Sequence, residues 1–195
     1  MPPSDLLRQW INHIPRGHAL DIGAGEGDVS AWLAREGFKV DAIERAPDVC
    51  LRLKDACKGL DISIHLRDVR DYDFPEGVYS LVYAGAILHF VKPTDLWYLA
   101  DRIISSLVYG GFFIAEVFTT DDPGYEVLRS SGAEEIEPNT FITSAFDEPI
   151  HYFMPGELTR TFSSLVIQAY EEARYLDPED TAGFRSGASI VAKRE

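Results

Sequence analysis

The order of apolar and polar residues predicts strands that alternate with helices over the first 118 positions. Apolar residues at helical spacing predict amphipathic helices that begin near Asp5, Val29, Pro47 and Asp95. Short apolar or alternating runs between them are typical of strands and lie at 19–22, 38–44, 62–66, 78–84 and 112–118. Five strand-then-helix units in succession favour a parallel sheet with right-handed crossovers and helices on both faces.

The fourth unit also carries boundary signals. Thr94 is a suitable N-cap for a helix from Asp95 to Tyr109, and Gly110 and Gly111 are typical of a helix end. The next strand is therefore predicted to begin at Phe112. It is almost continuously apolar, as expected of a central strand that is covered on both faces.

The regular pattern ends after the fifth strand. Residues 120–155 hold four prolines, several acidic residues and the aromatic residues Tyr125, Phe141, Phe146, Tyr152 and Phe153. Long irregular segments inside compact domains are either functional or disordered, and the aromatic residues favour a lid that closes over a site. A solvated insertion that packs on one edge of the domain is the alternative.

The last part of the chain returns to recognisable elements. A short helix is predicted from Pro155, and two strands are predicted at 165–170 and 188–192. The sequence between these strands is rich in turn-forming residues, which predicts an antiparallel hairpin. At 195 residues the chain fits a single domain, 1–195, with a lid-like insertion at about 120–155.

Composition restricts the partners and the compartment. The net charge of −14, with no cluster of basic residues longer than the terminal Lys193-Arg194 pair, argues against nucleic acid as a substrate. The apolar runs are shorter than a membrane span and the first residues lack a signal-peptide pattern, so we expect no membrane association and a cytoplasmic location. Nothing in the sequence defines an oligomeric state.

The two cysteines lie seven residues apart in a predicted helix. Side chains two turns apart are too distant to form a disulfide, so Cys50 and Cys57 are predicted to be small core residues. The five histidines are scattered along the chain, and we expect no metal site.

The stretch from Ala19 to Gly27 carries the clearest chemical signal. It reads as a buried strand that runs into a turn containing Gly23, Gly25 and Gly27, followed by a helix. These glycines allow a sharp bend and a close approach to a ligand, and the N–H groups at the helix start favour a nucleotide-like ligand with carboxylate or phosphate oxygens. A turn that merely redirects the chain is the alternative. A dinucleotide fingerprint would place a glycine at position six of the turn, where this chain has Asp28.

A second acid lies at the end of the next predicted strand. Glu44 follows Gly23 by 21 residues, close to the separation at which a strand-end carboxylate accepts from both hydroxyls of a ribose. The spacing supports an adenosyl ligand without identifying the class of enzyme. A solvated strand-end glutamate is the alternative.

The Asp-Ile-Gly-x-Gly-x-Gly pattern resembles the first motif of the class I S-adenosylmethionine-dependent methyltransferases. The helix containing Gly156-Glu157-Leu158, the final hairpin and the overall element order are most similar to the tellurite-resistance branch of that family. The resemblance implies an α/β, Rossmann-like seven-stranded mixed sheet, mostly parallel with a C-terminal antiparallel hairpin, with helices on both faces. It implies S-adenosyl-L-methionine as the cofactor and S-adenosyl-L-homocysteine as its product.

The resemblance also assigns roles along the cofactor. The glycine turn with Ala24 would hold the methionine end, Asp21 would support that turn and the amino group, and Glu44 with the adjacent Arg45 would lie at the ribose. Asp68 and Val69 match the positions that contact adenine, although a turn-forming role is a fair alternative for Asp68. The residues that would lie along the methionine portion are Tyr83, Ala84 and Gly85.

The same resemblance places the acceptor near Ile87 to Phe90, with Leu88 and Phe90 facing it, and near the lid tyrosines Tyr125 and Tyr152. His89 is the candidate catalytic base if the acceptor is a hydroxyl, because an ordinary histidine pKa near 6.5 suits proton transfer. A packing or hydrogen-bonding histidine is the alternative. A thiol, a soft anion or a deprotonated amine would need no base.

The sequence therefore predicts methyl transfer from S-adenosylmethionine to a small-molecule acceptor whose identity it leaves open. Two other functions remain. A methyltransferase-like domain without catalytic activity could bind a partner, and a nicotinamide-dependent oxidoreductase would share the strand, the turn and the acid but lacks its glycine at position 28.

Overall fold

The computed structural model describes residues 2–143, 148–178 and 180–195. Within these ranges the α-helices are α1 (Asp5–Trp10), α2 (Asp28–Arg35), α3 (Pro47–Ala56), α4 (Pro93–Ser106), α5 (Pro123–Ser131) and α6 (Glu157–Thr161). The strands are β1 (His18–Ile22), β2 (Lys39–Glu44), β3 (Ile62–Leu66), β4 (Tyr79–Gly85), β5 (Leu107–Phe118), β6 (Glu135–Glu137), β7 (Thr140–Phe141), β8 (Ile150–His151), β9 (Val166–Leu176) and β10 (Phe184–Lys193).

Seven of these strands form one mixed sheet in the order β3-β2-β1-β4-β5-β10-β9. Strands β1 to β5 pair in parallel, and β10 runs antiparallel to both β5 and β9. The predicted Rossmann-like sheet with a C-terminal antiparallel hairpin is confirmed, although both hairpin strands are longer than predicted. The strand order reverses between β1 and β4, where sheets of this kind bind ligands beyond the carboxyl ends of the strands.

Helices cover both faces of the sheet, and each face has its own apolar core. On one face Leu7 of α1 and Leu33 of α2, both fully buried, pack over β1, β2 and β4. On the other face Leu99 of α4 and Leu158 of α6 pack against the large core that includes Phe113. Because both sides of β5 are covered, its inner residues can be apolar on either face.

The predicted boundary between α4 and β5 is wrong. The helix begins at Pro93, with Lys92 rather than Thr94 as its N-cap, and ends at Ser106, so that β5 begins at Leu107. Gly110 and Gly111 lie inside the strand, where the Gly110 N–H donates to the Arg194 carbonyl at 2.7 Å and the Arg194 N–H donates to the Gly111 carbonyl at 2.9 Å. The two glycines therefore take part in the pairing of β5 with Arg194, and they do not end α4.

The segment predicted to be irregular, 120–155, has regular structure in its described parts. Helix α5 begins at the N-cap Asp122, whose carboxylate accepts from the Gly124 N–H at 2.9 Å, and strands β6, β7 and β8 form a small antiparallel sheet. A separate apolar cluster holds the segment together and includes Phe141, Ile150 and Tyr152. Phe146, one of the aromatic residues predicted for the lid, lies outside the described residues.

Both cysteines are buried and free, as predicted. Among the described residues no helix combines the length and the apolar character needed to cross a bilayer.

Candidate functional site

The glycine turn begins at the carboxyl end of β1 and is anchored to the neighbouring strand. The N–H groups of Gly23 and Ala24 both donate to the Ile43 carbonyl, at 3.0 and 2.9 Å. Gly23, Gly25 and Gly27 have φ angles of +73°, +55° and +91°, in the left-handed region that residues with a Cβ rarely adopt. The sequence therefore needs glycine here to curl the main chain around the start of α2.

Glu44 joins the end of β2 to this turn. Its Oε2 accepts from the Gly25 N–H at 3.1 Å and its Oε1 accepts from the Ala46 N–H at 2.8 Å. Each carboxylate oxygen has a second lone pair, so the side chain can still accept hydrogen bonds from a ligand. The predicted strand-end acid therefore lies beside the glycine turn, as its separation from Gly23 in the sequence predicts.

Asp21 is the second acid beside the turn, and only 2% of its surface is exposed. The Ser30 hydroxyl on α2 donates to Asp21 Oδ2 at 2.5 Å. Burial raises the pKa of Asp21 from its ordinary 3.8 to about 6, against the lowering effect of the Ser30 hydrogen bond. At neutral pH the strand therefore presents a buried negative charge next to the turn.

Two cavities meet at the glycine turn, and Gly23 lines both. The first has a volume of about 620 Å³ and contains seven of the predicted residues: Asp21, Gly23, Ala24, Gly25, Tyr83, Gly85 and His89. The second has a volume of about 80 Å³ and is lined by Glu44, Arg45, Asp68, Val69 and Phe90, among others. Both cavities lie at the carboxyl edge of the parallel strands.

Five predicted residues line neither cavity. Ala84 and Leu88 are fully buried in the core, and Gly27 packs against α3, where a Cβ would approach Leu53 Cδ1 to 2.5 Å. Tyr125 and Tyr152 lie in the apolar cluster of the 120–155 segment, with ring centroids 5.5 Å apart.

Asp68 is held by an arginine that the sequence reasoning missed. The Arg70 guanidinium donates to both carboxylate oxygens, at 2.8 and 2.6 Å, and the Arg70 N–H donates to Oδ1 at 2.9 Å. These bonds, chiefly those of the side chain, hold the pKa of Asp68 below its ordinary value. Three of the four lone pairs are used, which leaves one on Oδ2 for a ligand.

Glu148 brings the 120–155 segment to the second cavity. Its carboxylate pairs with Arg45, and Arg70 Nη2 lies 3.7 Å from the same oxygen. The Glu148 side chain is only 16% exposed between these two cations. The contact joins residues more than 70 positions apart, so no local sequence pattern signals it.

Tyr83 and Glu116 form the floor of the first cavity. The Tyr83 hydroxyl donates to Glu116 Oε1 at 3.2 Å, and burial, followed by the charge of Glu116, raises the pKa of Tyr83. The Tyr83 ring lies against Gly85, where a Cβ would collide with it. Glu116 was not predicted, although it is the single charged residue in the apolar run 112–118 and that anomaly could have identified it.

His89 is buried and stacks between two aromatic rings. Its ring centroid lies 4.4 Å from Phe90 and 4.5 Å from Phe118, and its Nδ1 has no hydrogen-bond partner within the part of the chain that the structure describes. Burial, reinforced by the charge of Arg185, lowers the pKa of His89 to about 3. The imidazole is therefore neutral at physiological pH. In this form it can donate and accept hydrogen bonds, but it is a weak base.

Comparisons with known proteins agree with this geometry. Residues 19–111 match the sequence model of a family described as a methyltransferase domain. No curated protein matches the chain in sequence.

Solved structures with the same fold are numerous. A SAM-dependent methyltransferase from Methanosarcina mazei superposes with a TM-score of 0.81 at 18% identity, over 100% of this chain and 99% of that one. TehB from Haemophilus influenzae superposes with a TM-score of 0.77 at 17% identity, over 99% of this chain and 63% of that one.

A third match contains ligands. It is 1,6-didemethyltoxoflavin-N1-methyltransferase from Burkholderia thailandensis, with bound 1,6-didemethyltoxoflavin and S-adenosylhomocysteine, and it superposes with a TM-score of 0.72 at 19% identity over 97% of this chain and 75% of that one. The fold is that of the S-adenosylmethionine-dependent methyltransferases. The match to the methyltransferase-domain model covers residues 19–111, slightly less than half of the chain, and lies within this fold.

Proposed function

We propose that this protein binds S-adenosylmethionine across the two cavities and transfers its methyl group to a small-molecule acceptor. The observation that carries the proposal is the meeting of both cavities at Gly23, between Asp21 at the end of β1 and Glu44 at the end of β2. A curled main chain between two strand-end acids suits a ligand with an ammonium at one end and a ribose at the other.

The residues present fit that cofactor. The Asp21 carboxylate would hold the amino group of the methionine end in the first cavity, next to the glycine turn, and Tyr83 and Gly85 would lie beside it. Glu44 retains lone pairs for the ribose hydroxyls, and Asp68 with the adjacent Val69 would contact adenine in the second cavity.

When bound, the cofactor supplies a methyl group on a positively charged sulfur, which is transferred by in-line displacement. The chain's own contribution is to align the acceptor in the first cavity, whose volume of about 620 Å³ is typical of small-molecule sites, and to exclude water. We propose that the whole chain acts as one domain, in which the 120–155 segment is a lid. Its Glu148 reaches the cofactor end and supports that role.

Two further features support a small acceptor. The net charge of −14 opposes binding to a phosphate backbone. The Burkholderia enzyme with the same fold carries 1,6-didemethyltoxoflavin together with S-adenosylhomocysteine.

Calorimetric titration with S-adenosylhomocysteine tests the first half of the proposal. Heat of binding and a raised melting temperature are expected, and their absence at millimolar ligand would contradict it. Titration with NADH tests the oxidoreductase alternative, because a nicotinamide-dependent oxidoreductase would bind NADH and a methyltransferase would not. Methyl transfer to any acceptor, measured as release of S-adenosylhomocysteine, distinguishes an active enzyme from an inactive binding domain.

A further inference from the structure

Three polar side chains form a row across the floor of the first cavity. Glu116 on β5 pairs directly with Ser189 on β10, and Ser189 pairs directly with Glu171 on β9. Directly opposed residues on antiparallel strands project from the same face of the sheet. Since neighbouring strands lie about 4.8 Å apart, the main chains at Glu116 and Glu171 are separated by roughly 10 Å, and the flexible side chains of both can lean toward the space above Ser189.

The lining of this cavity is negatively charged. It includes the carboxylates of Asp5, Asp21, Glu116 and Glu171, and none of the described residues that line it is a lysine or arginine. Arg185 lies nearby, with its guanidinium 3.9 Å from the centroid of Phe118, but it pairs with the buried Asp122 at 2.8 Å. A cavity lined by one sign of charge attracts ligands of the opposite sign.

The cofactor would account for only part of that charge. Asp21 belongs to β1, beside the glycine turn, whereas β5 lies two strands away from β1 and β9 lies four strands away. Glu116 and Glu171 therefore lie toward the end of the cavity that is left for the acceptor.

The groups at that end have hydrogen-bonding capacity to spare. Glu116 Oε2 has no partner among the described residues, and the same holds for the Glu171 carboxylate and the Ser189 hydroxyl. His89, which is 98% buried and lines the same cavity, also lacks a partner for Nδ1 in the described chain. The nearby rings of Phe118 and Tyr175 supply apolar surface.

We propose that the methyl acceptor is a small primary or secondary amine that enters this end of the cavity as an ammonium ion between Glu116 and Glu171. This assignment rests on the proposed methyltransferase function. The ammonium N–H groups would donate to the two carboxylates and the apolar part would lie against the aromatic rings. A carboxylate or phenolate acceptor would meet two like charges.

The chemical step follows from that placement. The ammonium loses one proton to the Glu116 carboxylate or to water, and the freed lone pair of the nitrogen forms the new N–C bond. The C–S bond breaks at the same time and its electron pair returns to sulfur. The methylated product is again an ammonium, and it loses its extra proton to water.

The test uses matched ligands of different charge on the 195-residue chain. S-adenosylhomocysteine is titrated first. The protein with bound S-adenosylhomocysteine is then titrated with three sets of compounds, which are the amine, the alcohol and the carboxylate of phenylethyl, butyl and cyclohexyl skeletons. In a separate assay with S-adenosylmethionine, release of S-adenosylhomocysteine is measured for each of the same compounds. At least one amine should bind and be methylated in preference to its matched alcohol and carboxylate.

Variants then locate the charge that is responsible. Glu116→Gln should weaken binding of that amine by about tenfold or more, since a hydrogen bond to a charged group is lost. Glu171→Gln should weaken it by about two- to fivefold, because Glu171 is exposed and solvent screens its charge. Glu76→Gln, which removes an exposed carboxylate outside the cavity, should leave amine binding unchanged.

The outcomes separate the two proposals. If S-adenosylhomocysteine binds but no amine binds at millimolar concentration, or an alcohol or carboxylate is preferred, the amine assignment is wrong and the cofactor assignment stands. If S-adenosylhomocysteine itself fails to bind, the proposed function fails and the amine assignment fails with it.

Discussion

The Glu44 carboxylate accepts a hydrogen bond from the Gly25 N–H at 3.1 Å, so the acid at the end of β2 holds the glycine turn that follows β1. The contact couples two elements that would bind different parts of one ligand. A change at Glu44 should therefore affect both the ligand and the shape of the turn.

Glu44→Ala should weaken binding of S-adenosylhomocysteine by about tenfold to beyond a hundredfold, because a hydrogen bond to a charged group contributes about 1.5–3 kcal/mol. It should also lower the melting temperature of the free protein, since the Gly25 and Ala46 N–H groups lose their acceptor. Calorimetry and a thermal melt measure the two effects. The control is Glu26→Gln, which lies on the same turn but outside both cavities and should bind S-adenosylhomocysteine normally. If Glu44→Ala bound S-adenosylhomocysteine with unchanged affinity, Glu44 would not belong to the site.

Asp21→Asn should stabilise the free protein and weaken cofactor binding. A folded-state pKa of about 6 against an ordinary 3.8 means that the folded state holds the proton more tightly, so this contribution to stability is complete below pH 3.8 and is lost as the pH rises through 6. At pH 8 the buried charge costs up to roughly 3 kcal/mol, and asparagine removes that cost. Urea unfolding at pH 8 should show the gain, and an equal gain at pH 3.5 would contradict this explanation.

Binding of S-adenosylhomocysteine should depend on the same carboxyl group. As the pH falls below about 6, Asp21 becomes protonated and no longer attracts the amino group of the ligand. Affinity in the wild type should fall between pH 7 and 5. In Asp21→Asn it should be low throughout and almost independent of pH across that interval.

His89 should remain neutral far below its ordinary pKa of 6.5. With a pKa of about 3, its imidazole resonances should not titrate between pH 8 and 4.5 in a nuclear magnetic resonance experiment. An inflection of the His89 signals near pH 6.5 would restore the general-base hypothesis.

Glu148→Gln should speed the release of bound S-adenosylhomocysteine. The substitution removes the charge that Arg45 and Arg70 share at the second cavity. Because Arg45 is half exposed, the effect should be modest, about two- to fivefold in the dissociation rate measured by stopped flow. Glu126→Gln removes an exposed ion pair with Arg129 in the same segment and should not alter the rate.

Gly27→Ala and Gly37→Ala form a matched pair. Their φ angles are nearly equal, +91° and +93°, so alanine is strained by about 1–2 kcal/mol at both. At Gly27 the new Cβ would also approach Leu53 Cδ1 to 2.5 Å, whereas nothing lies within 4 Å at Gly37. Chemical denaturation should therefore show an additional loss of about 1–3 kcal/mol at Gly27. Equal losses would show that packing against α3 has no effect.

The sequence predicted the fold well where hydrophobic spacing is strong. It predicted the order of strands and helices from Ala19 to Phe118, because each element buries one regular set of apolar positions. It failed at Gly110 and Gly111, where a helix-ending pair of glycines instead lies in a strand that pairs with the end of the chain. It also failed for the 120–155 segment, whose helix and short strands depend on packing between distant residues such as Tyr125 and Tyr152.

The sequence by itself determined which groups lie around the glycine turn, since the glycines and the acids at Asp21, Glu44 and Asp68 lie at strand ends whose spacing is local. Only the tertiary structure decided what surrounds the far end of the first cavity. The row of Glu116, Ser189 and Glu171 exists because three strands pair in one register, and Glu148 reaches Arg45 through the folding of a distant segment. Burial, which lowers the pKa of His89, is likewise a property of the packed protein and not of the residue type.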